Sequence, residues 1–243
     1  MKEKIYTIPV NEAFDTPCEC PLCTLNKKVD AEILDYVLGP SYMEEDIREE
    51  TNKVGFCRYH YDKMFNAQNH LGVALMVSTH LKKINKELED ILEFEVKADE
   101  GRGFLKKSHD NRPLADFTQH ISSSCYACER MEGRMNSYIE TIFYLWKKEP
   151  EFRQKIANSN GFCLEHFSRL ISEARKRMKQ YDFLEFANTI IPLQKENMSR
   201  LDKELDWFIK KFDYRFQDEP WGNSKDSLER TILKLASVYV NEE

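Results

Sequence analysis

Glycine and proline are scarce in this chain, with eight of each among 243 residues. A strand-rich sandwich needs a turn about every ten residues, so this scarcity argues against one and favours long helices. Nor does any apolar run approach the roughly twenty residues of a membrane-spanning helix. The opening MKEKIYTIPVNEAFD lacks the apolar stretch of a secretory signal. The expectation is a cytoplasmic protein, away from membranes, whose thiols stay reduced.

A basic excess is also missing. Residues 1–120 carry 16 Lys and Arg against 22 Asp and Glu, and residues 121–243 carry 20 against 20. Binding to nucleic acid through phosphate neutralisation is therefore disfavoured, and the short run Arg175, Lys176, Arg177 and Lys179 reads as a solvated helix face. The chain contains no glycine-rich phosphate loop, no nucleophile elbow and no HExxH helix. With no catalytic constellation in view, the expectation is a protein that is not an enzyme.

Cysteine is present in a pattern. There are seven, an odd number, which in a reduced compartment calls for an explanation other than disulfides. Six of them, with two of the six histidines, form a repeat. Cys20-Pro-Leu-Cys23 is followed by Gly55-Phe56-Cys57-Arg58-Tyr59-His60; Cys125-Tyr-Ala-Cys128 is followed by Gly161-Phe162-Cys163-Leu164-Glu165-His166. The intervals are 33 residues from Cys23 to Cys57 and 34 from Cys128 to Cys163.

This spacing suits metal. Two cysteines separated by two residues aim both sulfurs at one ion, and a Cys and His at the same separation complete a tetrahedron. Gly55 and Gly161 stand where the backbone must turn sharply into the CxxH helix. The reading is two zinc ions, one in each half: Cys20, Cys23, Cys57 and His60 would hold the first, Cys125, Cys128, Cys163 and His166 the second. Each would close a loop of thirty-odd residues. An iron–sulfur cluster is the lesser alternative, since clusters usually take cysteine at every position. Four protein ligands leave no open coordination position, so the sites read as structural. Cys18 is the odd thiol, a bystander or a redox-active neighbour; Ser123 fills its place in the second copy. The remaining histidines, His70, His80, His109 and His120, read as surface or packing residues.

The segments between motifs are helical in period. Leu25, Val29, Ile33, Tyr36 and Val37 form one stripe, and Met131, Met135, Ile139, Ile142 and Trp146 its counterpart. Gly39-Pro40 and Glu149-Pro150 end these helices, and shorter ones follow, from the acidic stretch Glu44–Glu50 and over roughly 150–158. Longer stripes come next, Val77, Leu81, Ile84, Leu88 and Ile91, then Met198, Leu201, Leu205, Phe208 and Phe212. The fold class expected is all-α: two pseudo-repeated helical units with long packed helices, each stapled by a site of three Cys and one His. The boundaries are 1–98, a linker over 99–119, and 120–243, the last including an aromatic segment and a final helix over Ser227–Val240. In that segment Tyr214, Phe216 and Trp221 read as locking the tail to the core, the alternative being a ligand pocket lined by Arg215 and Trp221.

Taken together, CPLC and GFCRYH, CYAC and GFCLEH, and the tail DYRFQDEPWG resemble a bacterial family of unknown function. The resemblance runs from Cys20 to about Ala236 and implies a soluble bacterial protein with paired Cys/His motifs. It brings no catalytic residue. Leu228 departs from it, standing where an aromatic is expected, which bears on local packing. Three functional readings follow: a zinc-stabilised binding or adaptor module whose partner is another protein, a redox or metal sensor that releases zinc when its thiols are oxidised, and an iron–sulfur protein.

Overall fold

The computed structural model describes residues 5–100 and 113–240, and the side chains of 94–100 lie outside that description. Among the described residues there are eleven α-helices and no strand. They are α1 (Thr7–Asp15), α2 (Pro21–Leu38), α3 (Glu45–Val54), α4 (Arg58–Asn66), α5 (His70–Glu100), α6 (Pro113–Ser123), α7 (Tyr126–Lys148), α8 (Pro150–Ala157), α9 (Leu164–Arg177), α10 (Gln180–Lys210) and α11 (Ser227–Ala236). The helical stops follow the sequence logic: α2 ends before Gly39-Pro40, and Pro150 opens α8 at a position that needs no amide donor.

The chain forms two compact units, residues 29–133 and residues 1–28 with 134–243. The boundaries fall inside α2 and inside α7, so the units do not coincide with the sequence halves 1–98 and 120–243. Of the expected linker, 101–112 lies outside the described residues, while 113–119 belongs to α6. Pro113, taken as a linker signal, instead stands at the first position of a helix, where its fixed φ suits the first turn.

In the unit of residues 1–28 and 134–243, α10 packs against α8, α9 and α11. Its buried face is Phe186, Ala187, Ile190, Leu193, Gln194, Asn197 and Leu201. Phe186 meets Trp146 and Phe143 edge-on, with ring centres 5.1 and 5.6 Å apart. Phe14 of α1 does the same with Phe152 at 5.0 Å. In the unit of residues 29–133, α5 packs against α3, α4 and α6, and Val29, Ile33, Val37, Ile47, Phe56, Met64 and Met76 are buried.

The α2 and α7 stripes are largely buried as the period predicts, although Tyr36 is exposed. The later stripes shift. In α5 the buried positions among those described are Gly72, Met76 and His80, whereas Leu81 is 54% exposed. Further along the same helix Ile84, Leu88 and Ile91 are half-buried, so the stripe departs from the covered side only at its start. Phe212 falls beyond the end of α10 and is 76% exposed. The last helix stops at Ala236 rather than Val240, because Ser237 takes a left-handed conformation (φ 58°).

The tail is held by α10. Trp207 donates its indole N–H to the Pro220 carbonyl at 3.0 Å, and Phe208 packs on Trp221. The buried Lys211 ammonium donates to the carbonyls of Phe216, Gln217 and Glu219. Arg215 turns back onto Asp213 instead of lining a pocket, and Tyr214 is exposed.

Two glycines should respond oppositely to alanine. Gly55 has φ 64°, and an added Cβ would lie 2.5 Å from His80 Nε2, so Gly55→Ala is expected to cost about 2 kcal/mol. At Gly133, exposed in α7, an added Cβ meets nothing within 4 Å, and Gly133→Ala should stabilise by about 0.5–1 kcal/mol. Urea unfolding of both variants measures the signs.

Candidate metal centres

All eight sequence-predicted ligands converge, but across the halves of the repeat. One group is Cys20, Cys23, Cys163 and His166; the other is Cys57, His60, Cys125 and Cys128. In each, every residue offers one ligand atom, and those atoms all lie within 4.8 Å of one another. The expected within-half sets are therefore corrected: the CxxC of each copy meets the CxxH of the other. In sequence the second group is nested inside the first, so we call them the inner and outer groups. The intervals enclosed are 64 residues between His60 and Cys125 and 139 between Cys23 and Cys163, not thirty-odd.

Every one of these turns opens a helix. Cys20 precedes α2 and Cys125 precedes α7, while Cys57 and Cys163 are the N-caps of α4 and α9. Exposed amides there favour sulfur anions. The amides of Cys23 and Cys128 donate to the sulfurs of Cys20 and Cys125 at 3.4 Å, and the amide of His166 donates to Cys163 at the same distance. Gly55 and Gly161, at φ 64° and 77°, make the turn into each CxxH helix, as the sequence predicts. Gln194 locks the second of these, accepting from the Phe162 amide and donating to the Phe162 carbonyl.

The cross-pairing has identifiable causes. Glu19, buried between Cys18 and Cys20, is bound by Arg200 of α10 and by Arg230 of α11. The fully buried Lys234 ammonium donates to the carbonyls of Glu19 and Asn160, tying the CPLC turn directly to the turn that leads into Cys163. In the inner group the Tyr126 amide donates to the Gly55 carbonyl at 3.0 Å, and the Ser124 hydroxyl donates to the Val54 carbonyl at 2.7 Å. These bonds hold each CxxC turn against its partner.

The internal distances describe compact tetrads. In the outer group His166 Nδ1 lies 3.6, 3.4 and 3.1 Å from the sulfurs of Cys20, Cys23 and Cys163. In the inner group His60 Nδ1 lies 3.2, 3.2 and 3.5 Å from Cys57, Cys125 and Cys128, and the sulfurs of Cys57 and Cys128 are 3.8 Å apart. A tetrahedron with metal–sulfur bonds of about 2.3 Å and a metal–nitrogen bond of about 2.0 Å has edges of about 3.5–3.8 Å. The tetrads have the size for a single ion.

Electrostatics agree. The Cys163 and Cys20 sulfurs push Cys23 far above the usual thiol range; burial and the neighbouring Cys125 and Cys57 do the same to Cys128. Burial opposes charge on His60, but Asp30 and then the Cys125 and Cys57 sulfurs outweigh it and raise the imidazole to about 10. His166 likewise rises to about 10 against burial, through Cys163 and Cys20. In each group the crowded sulfurs resist full ionisation, a cost that a bound cation would remove.

Supporting contacts differ between the groups. Asp30, buried on α2, accepts from His60 Nε2 at 2.9 Å, and also from Tyr59 and Lys63. The carboxylate thus leaves His60 Nδ1 free to ligate. Met135 occupies the matching repeat position, so His166 has no equivalent acid there. Instead the outer group has Ser237, whose hydroxyl donates to the Cys163 sulfur at 3.1 Å. Sequence reasoning missed Asp30, Ser237 and Glu19. An acid beside the apolar positions Val29 and Ile33 was the available signal for Asp30.

The remaining candidates stay outside both groups. Cys18 points its thiol toward the Ala13 carbonyl at 3.9 Å. His80 is buried and donates to the Asn52 carbonyl; His70 is exposed and stacks on Phe65. His120 is exposed, and His109 lies outside the described residues. A cavity of about 700 Å³ opens beside Cys18, Arg200, Arg230 and Tyr239, but its guanidinium groups are engaged by Glu19, Glu204 and Asp226.

Lys234 provides a stability test. Removing it strands two buried carbonyls and leaves Glu19 with less compensation, so Lys234→Ala is expected to lower stability by about 3 kcal/mol in denaturant titration.

No curated protein and no solved structure matches the sequence. A family of unknown function, DUF6062, matches residues 1–242. With nearly its whole length matched, the chain belongs to the family of unknown function DUF6062.

Proposed function

We propose that each tetrad holds one zinc ion, and that the protein is a non-enzymatic, zinc-stabilised helical module that binds another protein in the cytoplasm. The carrying observation is the pair of compact Cys3His groups, each with four soft donors around one point. Zinc is preferred because three thiolates and an imidazole are a common structural zinc set. A cluster would spread its ligands over several irons, wider than these edges. Four protein donors leave no position for substrate or water, which supports a structural role rather than catalysis.

Metal stoichiometry of paired variants tests the reading. Cys20→Ser with Cys163→Ser removes two ligands from one group and should leave one zinc per chain. Cys20→Ser with Cys57→Ser takes a ligand from each group and should leave little or none. Within-half sites would give the reverse, and a wild-type protein free of zinc would refute the metal assignment.

Asp30→Asn removes the carboxylate behind His60. Affinity at the inner group should fall by about 10–100-fold, with the outer group unchanged, in chelator competition.

A further inference from the structure

The two tetrads differ in one respect that bears on chemistry: the inner one has an open edge. In the outer group Cys20, Cys23 and Cys163 are 0%, 3% and 0% exposed, and Ser237 covers the Cys163 sulfur. In the inner group Cys125 and His60 are buried, but Cys128 is exposed and Cys57 half-buried. These two sulfurs lie 3.8 Å apart. The exposed cysteine therefore has a second, half-exposed sulfur 3.8 Å away. Cys23, which matches Cys128 in the repeat, has no such access.

We propose that the Cys57–Cys128 edge is an oxidative modification site, at which hydrogen peroxide forms a disulfide and releases the inner zinc while the outer zinc stays. The proposal rests on the zinc reading above. The Cys128 sulfur attacks a peroxide oxygen; the O–O bond breaks, a sulfenic acid forms, and hydroxide leaves, taking a proton to become water. The Cys57 sulfur then attacks the Cys128 sulfur. The S–S bond forms as the S–O bond breaks, and the second hydroxide takes a proton to become a second water. Two electrons pass from the sulfurs to peroxide. Closing the bond requires the sulfurs to approach from 3.8 Å to about 2.05 Å. Cys125 and His60 alone are too few ligands to retain the ion. Thiol reduction reverses the change. Cys18 plays no part, since it lies outside both tetrads.

The test uses wild-type protein whose zinc content is measured first. Two ions per chain establish the starting state; none would contradict the zinc reading itself, and peptide mapping after peroxide would still show whether Cys57 and Cys128 join. A peroxide titration is then followed with a chromophoric zinc indicator, and the cysteines are mapped by alkylation and mass spectrometry. The expected result is loss of one zinc of two, a Cys57–Cys128 disulfide, and Cys20, Cys23 and Cys163 still reduced, with dithiothreitol restoring zinc binding. Cys18→Ser should respond as wild type. Simultaneous loss of both ions, a disulfide in the outer group or involving Cys18, or retention of both ions under peroxide would overturn the proposal.

Discussion

Three sulfurs gathered around one imidazole within a few ångströms repel one another as they ionise, and in this protein that crowding occurs twice inside a scaffold of short and long helices. Burial and helix N-termini hold the donors in place; their mutual repulsion is what a bound cation would remove. The arrangement of the chain follows from where the donors lie. Each CxxC turn is carried to a CxxH turn distant in sequence, and α2 and α7 start at the points where this happens. If metal binds, its free energy becomes folding free energy, because the unfolded chain does not assemble either tetrad.

The polar contacts around the tetrads have direction. Glu19 is charged, buried and placed next to a ligand, which would be costly without Arg200, Arg230 and Lys234. Those three cations come from α10 and α11, so the same ion pairs that compensate Glu19 also fix the CPLC turn against the helices bordering Cys163. In the inner group the linking is done by backbone and hydroxyl donors, from Tyr126 and Ser124 to the Gly55 turn. One tetrad is thus sealed among the ion pairs of Glu19, while the other has Asp30 behind its histidine and one side open.

How much of this was legible in the sequence depends on range. The eight donor residues, the two turn glycines and the helix begun by Pro150 could all be read from local spacing, because each is a matter of three or four consecutive residues. The partition of the donors could not. The two copies have intervals of 33 and 34 residues and identical donor types, so within-half and crossed sets are chemically equivalent on paper. The choice is made by Lys234 and Arg230, some two hundred residues from Glu19, and by hydrogen bonds between turns that no periodicity encodes. The start of the α5 stripe, Val77 and Leu81, proved exposed for a related reason, while Ile84, Leu88 and Ile91 are half-buried: a heptad line says which residues share a face, not whether another helix lies over it.

Zinc K-edge X-ray absorption on the purified protein addresses the central claim most directly. The account predicts an average shell of three sulfurs at about 2.3 Å and one nitrogen at about 2.0 Å, with no second metal nearby. A shell dominated by oxygen, or iron with neighbouring iron in place of zinc, would contradict it.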